Sequence, residues 1–356
     1  MKVLIISMFP KEEVPYSKYY IDKLNEKKID YDILYWNREH TDELTYKDNE
    51  IHFNLDCRMG GSKYKKIPKM LKYARTIRRM LRKKEYTQAI VLTTVPGIFL
   101  FDILVTKFKR KYILDIRDYT NESNKLYYNL EKRVIDNSLF TVISSERFKD
   151  FLPSREYILS HNLSNEEYVK NESTDLSVKK EFVIGFVGNV RYPSENSELI
   201  KKLSQNNKFK IEYWGKTTLD FESKAKNISS SNVKFHGKFN NEEKSGIYEK
   251  IDFINAIYGT SGLEVITAVP NRFYDALLFK KPIITSKGTY LGELVEELEI
   301  GLAVDIFNDD IILKLEDYIE NFDKVKFLSN CEQVLKKIEK DQNEYAEAIS
   351  EFIGNH

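Results

Sequence analysis

The sequence predicts an α/β protein built as two Rossmann-like domains facing each other across a cleft. Three observations carry that expectation. Short, continuously apolar runs alternate with helical periods from the first residues onward. The alternation stops at a polar, aperiodic stretch from His161 to Lys180, then restarts on a second apolar run at Glu181–Val187. Strands that are apolar on both faces belong to parallel sheets covered by helices on both sides. A chain of 356 residues is long enough to fill two such cores.

Taken in order, Lys2–Ser7, Tyr31–Trp36, Ala89–Thr94, Tyr112–Ile116 and Leu139–Ile143 read as strands, rich in the Val, Ile, Leu and Tyr that suit a buried pleat. Between them Tyr16–Lys27, Lys63–Lys84, Gly97–Phe108 and Ser123–Asn137 show the 3.6-residue spacing of apolar positions expected of helices. After the polar stretch, which is the interdomain linker candidate, the strands are Glu181–Val187, Lys208–Trp214, Asn232–Phe235, Asp252–Ile257, Pro282–Ser286 and Leu302–Val304. Asp309–Phe352 reads as largely helical.

Composition excludes more than it selects. The formal net charge is +1, so bulk charge points to no partner. Cys57 and Cys331 fall in different predicted domains, which argues against a disulfide framework and for a reducing compartment. Met1–Pro10 has no cationic leader or small-residue cleavage site, and no apolar stretch approaches the ~20 residues that span a bilayer. A cytoplasmic protein is expected. Neither half carries GxGxxG, so a dinucleotide-dependent oxidoreductase is unsupported.

The chemistry concentrates in the second half, around Pro270–Ser286 (PNRFYDALLFKKPIITS). Pro270 and Asn271 open a helix, and the Lys280–Lys281 pair and Pro282 end it just before a buried strand. The free N–H groups and dipole of such a helix end suit an anion, and Arg272 adds a full positive charge. Asp275, one turn deeper on the same face, would suit ribose hydroxyls. The plainer alternative is a surface pair between Arg272 and Asp275. In GFVGNVR, Gly188 lets the backbone turn close to a ligand, and Arg191 follows a strand's carboxyl end, where open α/β sheets bind ligands. A guanidinium there can clamp a phosphate or be an ordinary turn arginine. Lys216 follows the next strand, His236–Gly237 ends the one after, offering backbone groups to a nucleobase edge, and Tyr258–Gly262 forms a small loop suited to a diphosphate. His236 itself reads as a loop histidine.

Together these motifs resemble the donor domain of GT-B glycosyltransferases, most of all the retaining family-4 type found in bacterial capsule and O-antigen synthesis. The matching pattern is GFVGNVR, an apolar strand ending in WGK, VKFHGK, PNRFYDALLFKKPII, then LGELV and IGL, over most of Phe182–Val304. The resemblance implies that Arg191 and Lys216 hold the pyrophosphate, with Arg272 as a further contact, and that Asp275 holds the donor ribose. It also implies a donor-binding domain at 180–340 and an acceptor-binding domain at 1–165. The last helix, about 341–356, would pack back on the acceptor domain. Two departures stand out. The family's first glutamate would fall on Thr267, with Glu264 out of register, and no glycine-rich loop follows the first strand, where Tyr16 and Ser17 are the stand-ins as acceptor contacts.

In the first half, YILDIRDY at Tyr112–Tyr119 resembles a D-x-R-D segment of bacterial surface-polysaccharide glycosyltransferases. Asp118 is the candidate base for an acceptor hydroxyl, with Arg117 beside it as the second catalytic candidate. The plainer alternative is that Asp115 and Asp118 cap turns or pair with Arg117. Asn162 is expected near the cleft mouth. Lys63–Lys84 carries eleven Lys or Arg and no acid among 22 residues, with Ile67, Met70, Leu71, Ala74, Ile77 and Leu81 at helical spacing. Such a helix suits an anionic membrane surface, or simply a core-facing helix with a solvated basic side. It lacks the stacking aromatics of a nucleic-acid site. The five histidines show no metal-ligand spacing, so neither metal nor other cofactor is expected.

The reading is a cytoplasmic enzyme, peripheral on the inner membrane face, that moves a sugar from a nucleotide-diphosphate donor, UDP-linked, to a lipid-linked or growing surface glycan. Its alternatives are a nucleotide-sugar 2-epimerase of the same architecture and a non-catalytic subunit of a glycan-assembly complex.

Overall fold

A computed structural model of the chain describes residues 2–38, 47–57, 63–83, 86–162, 175–228 and 231–354. The chain divides into two compact units, Met1–His161 with Lys340–His356, and Asn162–Glu339.

In the first unit the strands are β1 (Lys2–Ser7), β2 (Asp30–Asn37), β3 (Glu50–Asn54), β4 (Gln88–Leu92), β5 (Tyr112–Ile116), β6 (Phe140–Ile143) and β7 (Ile158–Leu159). Its helices are α1 (Ser17–Glu26), α2 (Lys63–Lys83), α3 (Thr94–Phe99), α4 (Phe101–Leu104) and α5 (Lys125–Asn137). All neighbouring strands run parallel in the order β3-β2-β1-β4-β5-β6-β7. Val3, Ile5, Ile33 and Ile113 point to one face of the sheet, Leu4, Ile6, Leu34 and Leu114 to the other, and each face closes its own core. This is the two-residue period of a strand buried on both sides.

The second unit repeats the plan with β8 (Phe182–Val187), β9 (Phe209–Trp214), β10 (Val233–Gly237), β11 (Phe253–Ala256), β12 (Ile283–Ser286) and β13 (Gly301–Val304). Its helices are α6 (Pro193–Leu203), α7 (Leu219–Ile228), α8 (Lys244–Glu249), α9 (Leu263–Ile266), α10 (Asn271–Leu278), α11 (Tyr290–Glu297) and α12 (Ile311–Glu320). The parallel order is β10-β9-β8-β11-β12-β13, again with a core on each face. A last helix, α13 (Lys324–Gly354), ends in the first unit, where Tyr345, Ile349, Phe352 and Ile353 join the core formed by Val3 and Ile5.

The differences from sequence expectation are local. Strand β4 stops at Leu92, because Thr93 turns the chain with φ +72°. The single helix expected over Gly97–Phe108 is two short helices. Edge strands β3 and β7 carry too little apolar pattern to announce themselves; β3 is half-buried and β7 has two residues. Most of the linker candidate, 163–174, and Lys84 lie outside the described residues.

Candidate functional site

In the second unit the carboxyl ends of β8, β9 and β11 converge on one arginine. Gly188 leaves β8 with φ +126° and Gly215 leaves β9 with φ +131°, backbone angles that favour glycine. The two turns touch. A Cβ on Gly215 would lie 2.1 Å from the Gly188 carbonyl oxygen, so a side chain there would force these strand ends apart. The Gly188 N–H donates to the Trp214 carbonyl at 2.7 Å, and the Val190 N–H to the Lys216 carbonyl at 3.0 Å, which fixes the loops bearing Arg191 and Lys216 side by side. Both of these cationic residues are exposed.

Arg272 comes up from α10 beneath them. It is 6% exposed, and its Nε donates to the Val187 carbonyl at 2.8 Å. Its Nη1 donates to the Tyr258 hydroxyl, and the guanidinium lies 3.5 Å from the Phe186 ring centroid. Nη2 points at Gly188; a Cβ there would come within 3.0 Å of it. Among the described residues no carboxylate pairs with Arg272. Burial pushes the Tyr258 phenol up, and the positive charges of Arg272 and Arg191 pull it back, so both guanidiniums act on the same hydroxyl. Arg272 and Tyr258 are joined at the ends of β8 and β11, and the loop after β8 carries Arg191 beside the loop that carries Lys216. Cation–aromatic contact and neutral acceptors hold the buried guanidinium while leaving its charge uncancelled.

Other expectations change on the structure. Asp275 is 5% exposed, and both its oxygens are occupied, one accepting from the Tyr248 hydroxyl at 2.7 Å and the other paired with Lys244 at 2.7 Å. It ties α8 to α10 rather than offering a free acid to a ribose. Its surface pairing with Arg272 does not occur either. Pro270, not Asn271, occupies the cap position of α10, and no side chain caps that end; Asn271 is exposed at the first helical position. Lys280 holds φ +52° and the Lys281 N–H returns to the Ala276 carbonyl at 3.0 Å, the left-handed stop that ends α10. The Gly237 carbonyl accepts from the Gly215 N–H at 2.7 Å, and Gly237 is exposed. The His236 ring stacks on Trp214 at 4.3 Å and meets Glu212 at 2.6 Å. Lys244, Tyr248 and Gly215 were not singled out in the sequence; only the glycine after a strand could have been, since a Lys or Tyr one helix away leaves no motif.

In the first unit, Arg117 is a correction. Its Nε and Nη2 grip the two oxygens of Asp115 at 2.5 and 2.8 Å, and its fork also reaches the Ser160 carbonyl and hydroxyl at 3.2 and 3.1 Å. The Tyr20 hydroxyl donates to Asp115 at 2.8 Å, and Tyr16 lies against the guanidinium with its ring centroid 4.5 Å away. Burial would lower the Arg117 pKa, but the Asp115 carboxylate more than offsets it and the guanidinium is held firmly charged. This is a structural ion pair, the plainer alternative for Asp115, and it engages most of the guanidinium's N–H groups. Ser17 is buried at the start of α1, which corrects its reading as an acceptor contact, and Tyr16 is half-buried. Asp118 is exposed just past β5, and Asn162 is half-buried.

On α2, Tyr73, Ala74, Ile77 and Leu81 pack into the core, while Ile67 and Leu71 stay 43% and 38% exposed among the lysines. No helix among the described residues is long and apolar enough to cross a membrane, and none of their His, Cys, Asp or Glu gather in groups of three that could hold a metal ion.

No family model matches the chain, and no curated protein matches its sequence. Its architecture does match solved structures along nearly the whole length. Sucrose-phosphate synthase from Thermosynechococcus elongatus superposes with a TM-score of 0.71 at 13% identity, over 100% of this chain and 98% of that one. Anabaena HepE, solved with UDP and glucose, gives 0.66 at 14% identity, over 98% and 99%. A protein from Listeria monocytogenes described as a UDP-N-acetylglucosamine 2-epimerase gives 0.56 at 11% identity, over 93% and 90%. The fold is thus of the GT-B type shared by nucleotide-sugar glycosyltransferases, and the Listeria protein described as an epimerase shares it.

Proposed function

We propose that the chain is a glycosyltransferase that takes a sugar from a nucleotide diphosphate, UDP in the first instance, and adds it to a lipid-linked or growing bacterial surface glycan. The observation that carries the reading is Arg272, a buried guanidinium with no carboxylate partner, set under Arg191 and Lys216 at the ends of β8 and β9. A site of this kind is built for an anion. When a sugar leaves a nucleotide diphosphate, negative charge builds on the departing phosphate, and preorganised cations facing that charge lower the barrier. In this reading these side chains meet the charge without a metal ion. Asp118, exposed past β5, is the candidate to accept the acceptor's proton. The UDP in the Anabaena structure supports the choice of base to try first.

The test is turnover with a panel of UDP-, GDP-, dTDP- and CDP-sugars, with wild type beside Arg191→Ala. Donor-dependent transfer that Arg191→Ala abolishes, without loss of fold, supports the proposal. Interconversion of the nucleotide sugar with no acceptor present would instead identify an epimerase. Absence of any thermal shift with every nucleotide would identify a non-catalytic relative.

The basic face of α2, with Ile67 and Leu71 exposed on it, supports contact with an anionic bilayer on the cytoplasmic side, as a lipid-linked acceptor would require. Each Lys near such a surface contributes about 1 kcal/mol. Reversing Lys65, Lys66 and Lys72 to Glu should abolish sedimentation with vesicles containing phosphatidylserine while leaving turnover of a soluble acceptor intact. Unchanged sedimentation would refute the contact.

A further inference from the structure

Glu131 lies on α5 with no exposed surface, and among the described residues neither of its carboxyl oxygens has a hydrogen-bond partner. The hydroxyls of Thr93 and Thr94, where β4 turns into α3, are likewise buried without partners. Thr93 is β-branched and holds φ +72°, a strained conformation that its surroundings must enforce. Glu122, 6% exposed in the segment after β5, is brought to α5 through Thr120 and Tyr127, which stands one turn before Glu131. Its oxygens accept from the backbone N–H of Thr120 at 2.6 Å and from the Thr120 hydroxyl at 2.8 Å. That hydroxyl also meets the Tyr127 hydroxyl at 2.6 Å. An isolated buried carboxylate is costly, and two side by side cannot both be ionised cheaply. A single proton removes one charge and supplies the donor that Glu131 lacks.

We propose that Glu131 and Glu122 hold one proton between them, and that this acid–carboxylate pair pins the segment 117–124, which carries Asp118 and Tyr119, onto α5. The two glutamates are positioning residues, and the inference does not depend on the glycosyl-transfer reading. Burial first, and the Glu122 charge second, push the Glu131 carboxyl up to about 8, while the Thr94 hydroxyl, too poorly placed for a hydrogen bond, draws it weakly the other way. The titratable groups around it are Glu122 on the segment, Tyr127 on its own helix and Tyr157 ahead of β7. Among the described residues no cation acts on it. A carboxyl whose pKa is raised in the native state stabilises the fold fully below its unfolded value. That stability is lost as pH rises toward and through about 8.

The experiment is an infrared titration of the wild-type protein, with thermal midpoints of wild type and Glu131→Gln from about pH 6 to about pH 9. We expect a protonated-carboxyl band at neutral pH that fades through about 8 and is absent from Glu131→Gln. The midpoint of wild type should fall by several degrees relative to the variant as pH rises. Amide exchange of residues 117–124, compared between the two proteins at equal pH, should accelerate in wild type only on the alkaline side. Parallel midpoint curves, or no such band at neutral pH, would overturn the proposal. So would a potassium or calcium ion that stabilises wild type above pH 8 but not the variant, since the pair would then serve a cation. If Glu131→Gln does not fold, the wild-type infrared titration decides alone.

Discussion

Arg117, just past β5 in the first unit, and Arg272, whose guanidinium reaches the end of β8 in the second, have largely buried side chains held in opposite ways. Arg117 is clamped bidentate to Asp115, and its charge is cancelled where it stands. Arg272 is held by a backbone carbonyl, a phenol and the face of Phe186, and the nearby acid, Asp275, is paired with Lys244 instead. Both satisfy the geometric needs of a guanidinium. Only one leaves a net positive charge in a low-dielectric setting, where its pull on an incoming anion is strongest. A neutralised buried cation maintains the fold; an unneutralised one stands at some cost to stability, as the proposed anion site requires.

The largest expected effect separates the two directly. Arg272→Met keeps the packed stem and deletes the charge, so donor turnover should fall by ~100-fold or more. Its thermal midpoint should hold or rise, because replacing a buried ion with an apolar group of similar volume is often neutral or stabilising. The same substitution at Arg117 should act in reverse. It strands Asp115, which is fully buried, and should cost about 3–5 kcal/mol of stability, measured by urea unfolding. Pairing Arg117→Met with Asp115→Leu should return most of that loss. If Arg272→Met proves the more destabilising of the two, or if it turns over donor normally, the contrast collapses.

A smaller effect tests what brings the Arg272 site together. Gly215→Ala must displace the Gly188 carbonyl and take up a left-handed angle, so it should destabilise by ~2 kcal/mol or more and raise the donor KM by moving the Arg191 and Lys216 loops. Gly237→Ala, which meets nothing within 4 Å, should suffer only the backbone strain of its φ of +78°. Equal losses at both positions would show that the Gly188–Gly215 approach has no special role.

This comparison also shows what could be read without coordinates. Strands such as Lys2–Ser7 and Tyr112–Ile116 are legible because a sheet buried on both faces writes an unbroken apolar run, and the same runs place Arg191 and Lys216 after strands and Arg272 at a helix start. The partners of a charge were not legible. Nothing in the local sequence tells that Asp275 faces Lys244, 31 positions earlier on another helix, whereas Asp115 and Arg117 lie two residues apart, where a pairing is visible in the sequence itself. Thr93 escaped for a related reason. A threonine that ends a strand at positive φ has the same composition as one that continues it, and its strain comes from tertiary neighbours, not from its own propensity.

The smallest predicted change bears on how Arg272 is kept ready. In the free protein its Nη1 donates to the Tyr258 hydroxyl, so a phosphate that takes this proton must first displace a phenol. Removing a hydrogen bond to a charged group typically costs about 1.5–3 kcal/mol of stability, and Tyr258→Phe should lose no more than that, because the ring remains beside Tyr192. Its effect on donor binding should be of the other sign. With the phenol oxygen gone, Nη1 has nothing to give up, and the donor KM should fall by a few-fold while Arg272→Met remains inactive in the same background. A rise in KM would mean that the Tyr258 hydroxyl itself contacts the donor. In that case the phenol would be part of the phosphate site, and the guanidinium would be oriented by Val187 and Phe186 alone.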